Sequence, residues 1–402
     1  MSEPSVAVVG AGAAGLVAAA FAAAAGARTT LIERTKEGGR KILISGGGRC
    51  NVLPSVLAPE RFVTDSPAPL LRRMLRAWPL HEQRAFFEHD LGVPLALEEE
   101  SGKWFPRSDR AKDIRDGLVA FARSKGVQLQ FDTTVTDLIS APGGFRLASS
   151  RGELEFDRVI LATGGLSVPT TGSDGTGLRI AQRFGHTMID TYPALTPLLG
   201  ADESHAGLSG VSLNVRLRAK VGAKVTETHG GFLFTHRGYS GPSVLDISHL
   251  TSRGDTPVIR AQWSGRTAAQ WTQDFDAPSA SVASLLARHV PARLGEHLMA
   301  AAGVPADRRT SDLKRAERLA LIDRLAAYPL PWSGNEGYKK AEVTGGGVAL
   351  SEVDSKTLES KRVAGLYLCG EMLDAFGPIG GHNFAWAWAT GRAAGIAAGA
   401  AA

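Results

Sequence analysis

The spacing of apolar and polar positions divides the chain into three textures. The first opens with Val6-Ala-Val-Val9, four apolar residues without a polar break, which reads as a strand buried on both faces. An Ala-rich run from Leu16 to Ala25 predicts a helix, and Arg28 to Ile32 a second strand, all within one βαβ length. Over 60–92, Leu70, Leu71, Met74, Leu75 and Trp78 recur on one helical face, and a further helix is expected at about 109–125 with Ser108 as its cap. Alternation over 127–156 predicts a meander, Arg158-Val-Ile-Leu161 another buried strand, and an amphipathic helix closes at Phe184-Gly185.

At Tyr192-Pro193 the texture changes to short alternating segments that predict a β-rich region to about residue 275, followed by helical periodicity over 280–302 and 310–328. The last sixty residues return to the opening texture, with strands expected at Val343 and Leu366 and a helix from Phe384. The expected architecture is α/β. One domain is split into a first part, 1–192, and a second part, 341–402, around an inserted β-rich domain, 193–340, which holds a helical subdomain at about 278–328.

Glycines add chemistry to this pattern. Gly10, Gly12 and Gly15 form G-x-G-x-x-G between the first strand and its helix, the Rossmann-like fingerprint of a dinucleotide site. Gly10 serves a tight turn, Gly12 the close approach of a pyrophosphate to the helix N-terminus, and Gly15 the packing of helix on strand. Glu33, at the end of the second strand, is placed to accept bonds from a ribose. A glycine run at Ser45-Gly46-Gly47-Gly48 offers backbone N–H groups to an anion, with Lys41 and Arg49 as countercharges. The basic, aromatic stretch Gly102–Lys112 is expected to form a loop over a pocket. Ala162-Thr163-Gly164-Gly165 ends a strand in small residues that let it run beneath a cofactor. Gly380 and Gly381 place a second anion-favouring helix N-terminus some 370 residues after the first.

Composition narrows the class without changing it. The 402 residues are 44% hydrophobic and 21% charged, as in an ordinary globular protein, and two cysteines make no disulfide framework. Neither signal peptide nor bilayer-spanning run is read, so a cytoplasmic location is expected. The net charge of +5 comes without any run of five basic residues and reads as a solvated surface, so no stable nucleic-acid partner is expected. No metal-ligand spacing is present.

Glycine turns at both ends of the chain favour FAD over a nicotinamide cofactor, because a flavin pocket is often closed by a helix terminus aimed at the ring. Lys41-Ile-Leu-Ile-Ser-Gly-Gly-Gly-Arg-Cys-Asn51, Gly102-Lys-Trp-Phe-Pro106, Leu161-Ala-Thr-Gly-Gly165, Gly231–Pro242, Thr357–Lys361 and Gly365–Asn383 together resemble the BaiN-like, aminoacetone-oxidase-like (YhiN-like) family of FAD flavoproteins. The resemblance implies a split FAD domain with a β-barrel-like insert. It implies that Gly10, Gly12, Ala13, Ala14 and Gly15 hold the pyrophosphate and that Glu33 and Arg34 face the ribose. Lys41, Ser45, Gly46, Gly47, Gly48, Arg49, Cys50, Asn51 and Val135 would line the FAD, with Ala162, Thr163, Gly164 and Gly165 near the adenine side. Gly370, Glu371, Asp374, Gly380, Gly381, His382 and Asn383 would meet ribityl and flavin. This chain departs from the resemblance at His382, where Tyr is more usual, and at Ala375-Phe376.

The expected reaction is hydride transfer between a small molecule and the flavin N5, with NAD(P)H or oxygen as a transient partner. Two alternatives stay open, an FAD-dependent RNA-modifying protein and a non-catalytic flavin-binding protein. His382 is a candidate catalytic donor or a pocket-lining hydrogen-bonder. His236 reads as a core histidine, and Cys50 and Cys369 as small buried residues.

Overall fold

The computed structural model describes residues 3–254, 256–276 and 281–401. Two compact units emerge, Met1–Tyr192 with Val343–Ala402, and Pro193–Glu342.

In the first unit, β1 (Ser5–Val9) lies inside a five-stranded parallel sheet. It is flanked by β2 (Arg28–Ile32) and by Arg158–Leu161, and Gln128–Gln130 and Leu366–Leu368 form the edges. Val6, Ala7 and Val8 are wholly buried, the physical reason their stretch carries no polar break. The edge strand at Leu366–Leu368 explains why the chain returns to this unit: its last sixty residues complete the sheet.

Two helices cover the sheet in parallel, α1 (Ala13–Ala24) and the C-terminal helix (His382–Gly399). A Cβ on Gly391, Gly395 or Gly399 would lie 2.4, 2.3 or 2.3 Å from the carbonyl oxygens of Ala14, Ala18 and Ala22. The partners advance together, so the helices run in the same direction with backbones in direct contact. The C-terminal helix begins well before Gly391, and its N-terminus extends roughly 13 Å past the first turn of α1 at the same end of the sheet.

Several local expectations change. The Gly38–Asn51 stretch contains a short helix, α2 (Arg40–Ile44), before its glycines. The helical 60–92 region breaks into α3 (Ala68–Arg76), Leu80–Ala85 and a wide turn at Phe86–Asp90. Pro79 causes the break, since it lacks an N–H and disfavours helix at Trp78. The next helix is Ala111–Ser124 with Arg110 at its N-cap, so Ser108 is not the cap. Lys103–Pro106 is a strand, not a loop, central between Leu53–Pro54 and Leu95–Glu98, and it buries Phe105.

The second unit is a seven-stranded antiparallel sheet with Tyr328–Pro329 at one edge and Trp332–Asn335 at the other. Only Leu330 and Pro331 join these edges, so the sheet curls until they nearly meet, which is the barrel-like form. Residues 268–276, expected within the strand region, form a helix, because Trp271 and Phe275 fall one turn apart on its buried side. Three further helices follow at Val282–Leu286, Ala292–Ala301 and Arg315–Ala326. The start of the helical subdomain, 278–280, lies outside the described residues. His236 is exposed in the turn after Phe234, where Thr235 Oγ1 accepts the Arg237 and Gly238 amides, so it is not a core histidine. The buried histidines of this unit are His249 and His205, the latter bonded to the hydroxyls of Tyr239 (2.8 Å) and Tyr328 (3.0 Å). Among the described residues no helix is long and apolar enough to cross a membrane.

Candidate cofactor site

The fingerprint glycines lead into α1: Gly10 follows β1, Gly12 is the N-cap and Gly15 lies in the first turn. Gly10 adopts φ +101°, and a Cβ there would press to 2.6 Å from the Ala162 carbonyl oxygen. On Gly15 it would reach 1.8 Å from the Gly10 carbonyl oxygen, and Ala162 Cβ would lie 3.3 Å away. Small residues at 10, 15 and 162 are therefore demanded by the protein itself. Gly12 differs. Its φ of −76° suits any residue, and no protein atom lies within 4 Å of a Cβ built there. Nothing in the chain requires glycine at 12; an occupant above the uncapped N-terminus of α1 would. Ala13 and Ala14 supply that turn, and Gly370 packs onto it, since its Cβ would lie 2.8 Å from Ala14 Cβ.

Glu33 leaves β2 beside this turn. Its Oε2 accepts the Ala11 amide at 2.8 Å, while Oε1 accepts the Thr35 amide and hydroxyl at 2.8 Å each. Oε2, with a single donor, retains acceptor capacity for a ribose hydroxyl. Arg34 turns outward to Asp174 and the Gly172 carbonyl. Val135, itself buried, starts a mostly uncovered strand and pairs with Ser149.

After α2, Ser45–Gly48 makes a tight turn with Gly46 and Gly47 left-handed and exposed. A Cβ on Gly46 would lie 3.0 Å from Asn51 Oδ1, whereas Gly47 faces open space and Gly48 nearly so. Ser45 closes the turn by accepting the Cys50 amide at 3.0 Å, with its own hydroxyl on the Ile42 carbonyl. Cys50 and Cys369 are fully buried, and burial pushes both thiols up to about 12, so neither is a thiolate near neutrality. Arg49 stacks on Phe105 and pairs with Asp109 (2.8 Å) and Glu98 (3.1 Å), so its charge is already matched.

Four distant segments meet at Glu371. Lys41 Nζ donates to its Oε2 and to Ser167 Oγ, each at 2.7 Å. Ser167 Oγ and the Thr344 amide donate to Oε1. Thr344 Oγ1 in turn accepts the Leu166 and Ser167 amides. Gly165 permits this approach, because a Cβ there would lie 2.3 Å from Thr344 Oγ1. Gly164 lies beside Ser173 and Glu371, and Thr163 against Met372. These three thus flank the Glu371 network. Burial pushes the Glu371 carboxyl up, but Lys41 and the Ser167 and Thr344 donors outweigh it, leaving it below its ordinary value. Val168, next in line, is held at φ +47°, strained for a β-branched residue.

The C-terminal turn is fixed from within. Asn383 bonds both amide and carbonyl of Gly377 at 2.9 Å, and Gly381 caps the helix with Gly380 packed on Lys103. Asp374 Oδ2 receives four donors from Thr64, Asp65 and Ser66, so it anchors that segment. His382 is 3% exposed, its ring edge-on to Phe62, and burial with Arg61 nearby lowers it to about 4, neutral at pH 7.

Ser167, Thr344 and the glycines at 391, 395 and 399 escape the sequence reading. The glycines carried a signal, a spacing of four along a helix; Ser167 and Thr344 carried none.

Known proteins are similar to this chain in sequence and fold. The family described as HI0933-like protein Rossmann domain matches residues 4–397. A ribosomal RNA dihydrouridine synthase of Escherichia coli (strain K12) is 34% identical over 95% of both chains. A 3-dehydro-bile acid delta(4,6)-reductase of Clostridium scindens is 32% identical over 98% of both. In fold, the chain is similar to a 3-ketosteroid delta1-dehydrogenase from Sterolibacterium denitrificans, with a TM-score of 0.53 at 13% identity, covering 98% of this chain and 99% of that one. The chain therefore belongs to the HI0933-like Rossmann family of FAD-dependent oxidoreductases.

Proposed function

We propose that this protein reduces a carbon–carbon double bond conjugated to a carbonyl, with FAD as its resident cofactor and NAD(P)H as transient donor. The observation that carries the FAD assignment is the pair of parallel helix N-termini at one end of the sheet, with Gly12 and Gly47 facing space that no protein atom fills. The reduction follows from what the two relatives have in common. The names of both, a 3-dehydro-bile acid delta(4,6)-reductase and a ribosomal RNA dihydrouridine synthase, point to saturation of a ring double bond beside a carbonyl.

Bound FAD supplies hydride transfer. Gly10 to Gly15 would hold the pyrophosphate and Glu33 the ribose; Gly46 to Asn51, Gly164 and Gly165 would line the dinucleotide. Glu371, kept ionised by Lys41, would accept from ribityl hydroxyls. The N-terminus of the C-terminal helix favours negative charge where the flavin would lie. His382, neutral at pH 7, acts as a hydrogen-bonding wall rather than a charged acid.

The test is an anaerobic titration. NADH or NADPH should bleach the bound flavin, and a 3-oxo-4,6-diene steroid or a uridine-containing RNA should restore its colour with one double bond saturated. A flavin reoxidised by oxygen and by no conjugated double bond overturns the reading.

A further inference from the structure

Away from the cofactor site, the first unit carries an open cleft of about 490 Å³, lined by Arg72, Arg73 and Arg76 of α3 with Ser355 and Lys356 opposite. The helix is sharply divided. Leu71, Met74 and Leu75 are buried, while the three arginines are exposed on the other side. Arg76 lies one turn from both Arg72 and Arg73, which puts neighbouring Cβ atoms about 5–6 Å apart.

Elsewhere many arginines are matched, as Arg34, Arg49, Arg84, Arg115, Arg183 and Arg362 each face a carboxylate. Among the described residues no carboxylate lies within ion-pair distance of Arg72, Arg73, Arg76 or Lys356. Asp354, the acidic residue closest in sequence to Lys356, turns its carboxylate to the amides of Lys356 and Thr357. Arg73 makes one bond, at 3.3 Å to Ser355 Oγ, and Arg392 reaches the rim at the Ala77 carbonyl. Three arginines and a lysine without carboxylate partners thus face one cleft and make it locally basic.

We propose that this cleft holds the sugar-phosphate backbone of an RNA whose base carries the double bond, an inference that rests on the reduction proposed above. A site for a single small anion draws on buried donors and backbone N–H groups. Several exposed guanidinium groups along one open cleft suit a chain of phosphates, each releasing counterions when neutralised. The cleft is also tied to the reacting end. α3 begins two residues after Ser66, whose amide and hydroxyl are held at 2.9 Å by Asp374 Oδ2. Asp374 opens the turn that leads to the N-terminus of the C-terminal helix, so backbone grip and flavin end belong to one rigid framework.

The test uses the flavin-loaded protein and a fluorescently labelled RNA hairpin with uridines in its loop, binding read by anisotropy between about 50 and 200 mM salt. Binding should weaken steeply as salt rises. Arg72→Gln/Arg76→Gln/Lys356→Gln should lower affinity at least tenfold and flatten the slope of log K against log salt by about 2. Arg72→Lys/Arg76→Lys should keep the slope, and Arg218→Gln/Lys220→Gln/Lys224→Gln, which removes equal charge from the other unit, should leave binding unchanged. Flavin content and reduction by NAD(P)H should be the same in all four proteins. A triple cleft variant that binds like the parent overturns the cleft while leaving an RNA substrate in place. A parent protein that shows no salt-dependent RNA binding yet reduces a free enone overturns the inference and leaves the reductase reading standing. Normal, cleft-dependent binding with no conjugated double bond ever reduced supports the cleft and overturns that reading.

Discussion

Gly395→Ala puts the central packing contact under direct strain. The new Cβ would lie 2.3 Å from the Ala18 carbonyl oxygen and 3.0 Å from its carbonyl carbon and Cα, where ordinary contact begins at 3.4 Å. α1 and the C-terminal helix must then part by about 1 Å, which forfeits a quarter to a half of each facing van der Waals contact. Overpacking of this kind costs about 1–3 kcal/mol. Against it stands the intrinsic gain of about 1 kcal/mol for alanine over glycine inside a helix. The net expectation is destabilisation by up to about 2 kcal/mol, a fall in Tm of up to about 8 °C for a unit of this size. Both N-termini proposed to face FAD belong to these helices, so FAD affinity should fall as well. Differential scanning calorimetry with and without FAD reads both effects. Ile396→Ala, on the exposed side of the same helix, should change stability by less than about 0.5 kcal/mol. A Gly395→Ala protein that melts above the parent, as helix propensity alone dictates, refutes the close contact.

Two other outcomes follow from charges in the interior. Lys41→Met removes the cation that holds the Glu371 carboxyl down, so burial raises it; a group raised in the folded state stabilises at low pH and loses that contribution as pH rises. Relative to the parent, the variant should therefore gain stability as pH falls from 7 to 5 in urea melts, and a parallel pH profile counts against the network. His205, His249 and His382 are each lowered to about 4, chiefly by burial. Unfolding lets them protonate near pH 6.5, so their contribution, up to about 3 kcal/mol each, is present above that pH and lost as pH falls to about 4. A urea midpoint that stays flat between pH 7 and pH 5 contradicts their neutral burial.

The α/β class was legible because its signals are local. Val6 to Val9 are apolar without interruption since both sheet faces cover them, and Gly10 and Gly15 are small since Ala162 and the α1 backbone press on them. The curled second sheet was legible only as many short strands, because its near-closure depends on Leu330 and Pro331 joining two edges. The Glu371 network was half legible. Lys41 and Glu371 stood in recognisable glycine-rich stretches, but Ser167 and Thr344 are ordinary residues whose meeting is decided by how four distant segments cross. Arg49 shows the converse: an arginine in a glycine-rich turn reads as an anion partner until Asp109 and Glu98 are seen to hold it. The arginines of α3 were visible as the polar side of an amphipathic helix. Their lack of partners was not, since that depends on what residues 354–356 bring opposite them.

The most direct measurement is FAD binding by Gly12→Val, set beside the parent by isothermal titration of the deflavinated proteins. At φ −76°, with no protein atom within 4 Å of the new Cβ, the substitution leaves the apoprotein fold and its melting temperature unchanged. If the space above α1 is the pyrophosphate seat, the branched side chain fills it and affinity for FAD falls by two orders of magnitude or more, on the order of 3 kcal/mol. Unchanged FAD affinity in a folded Gly12→Val protein would contradict the account at its centre.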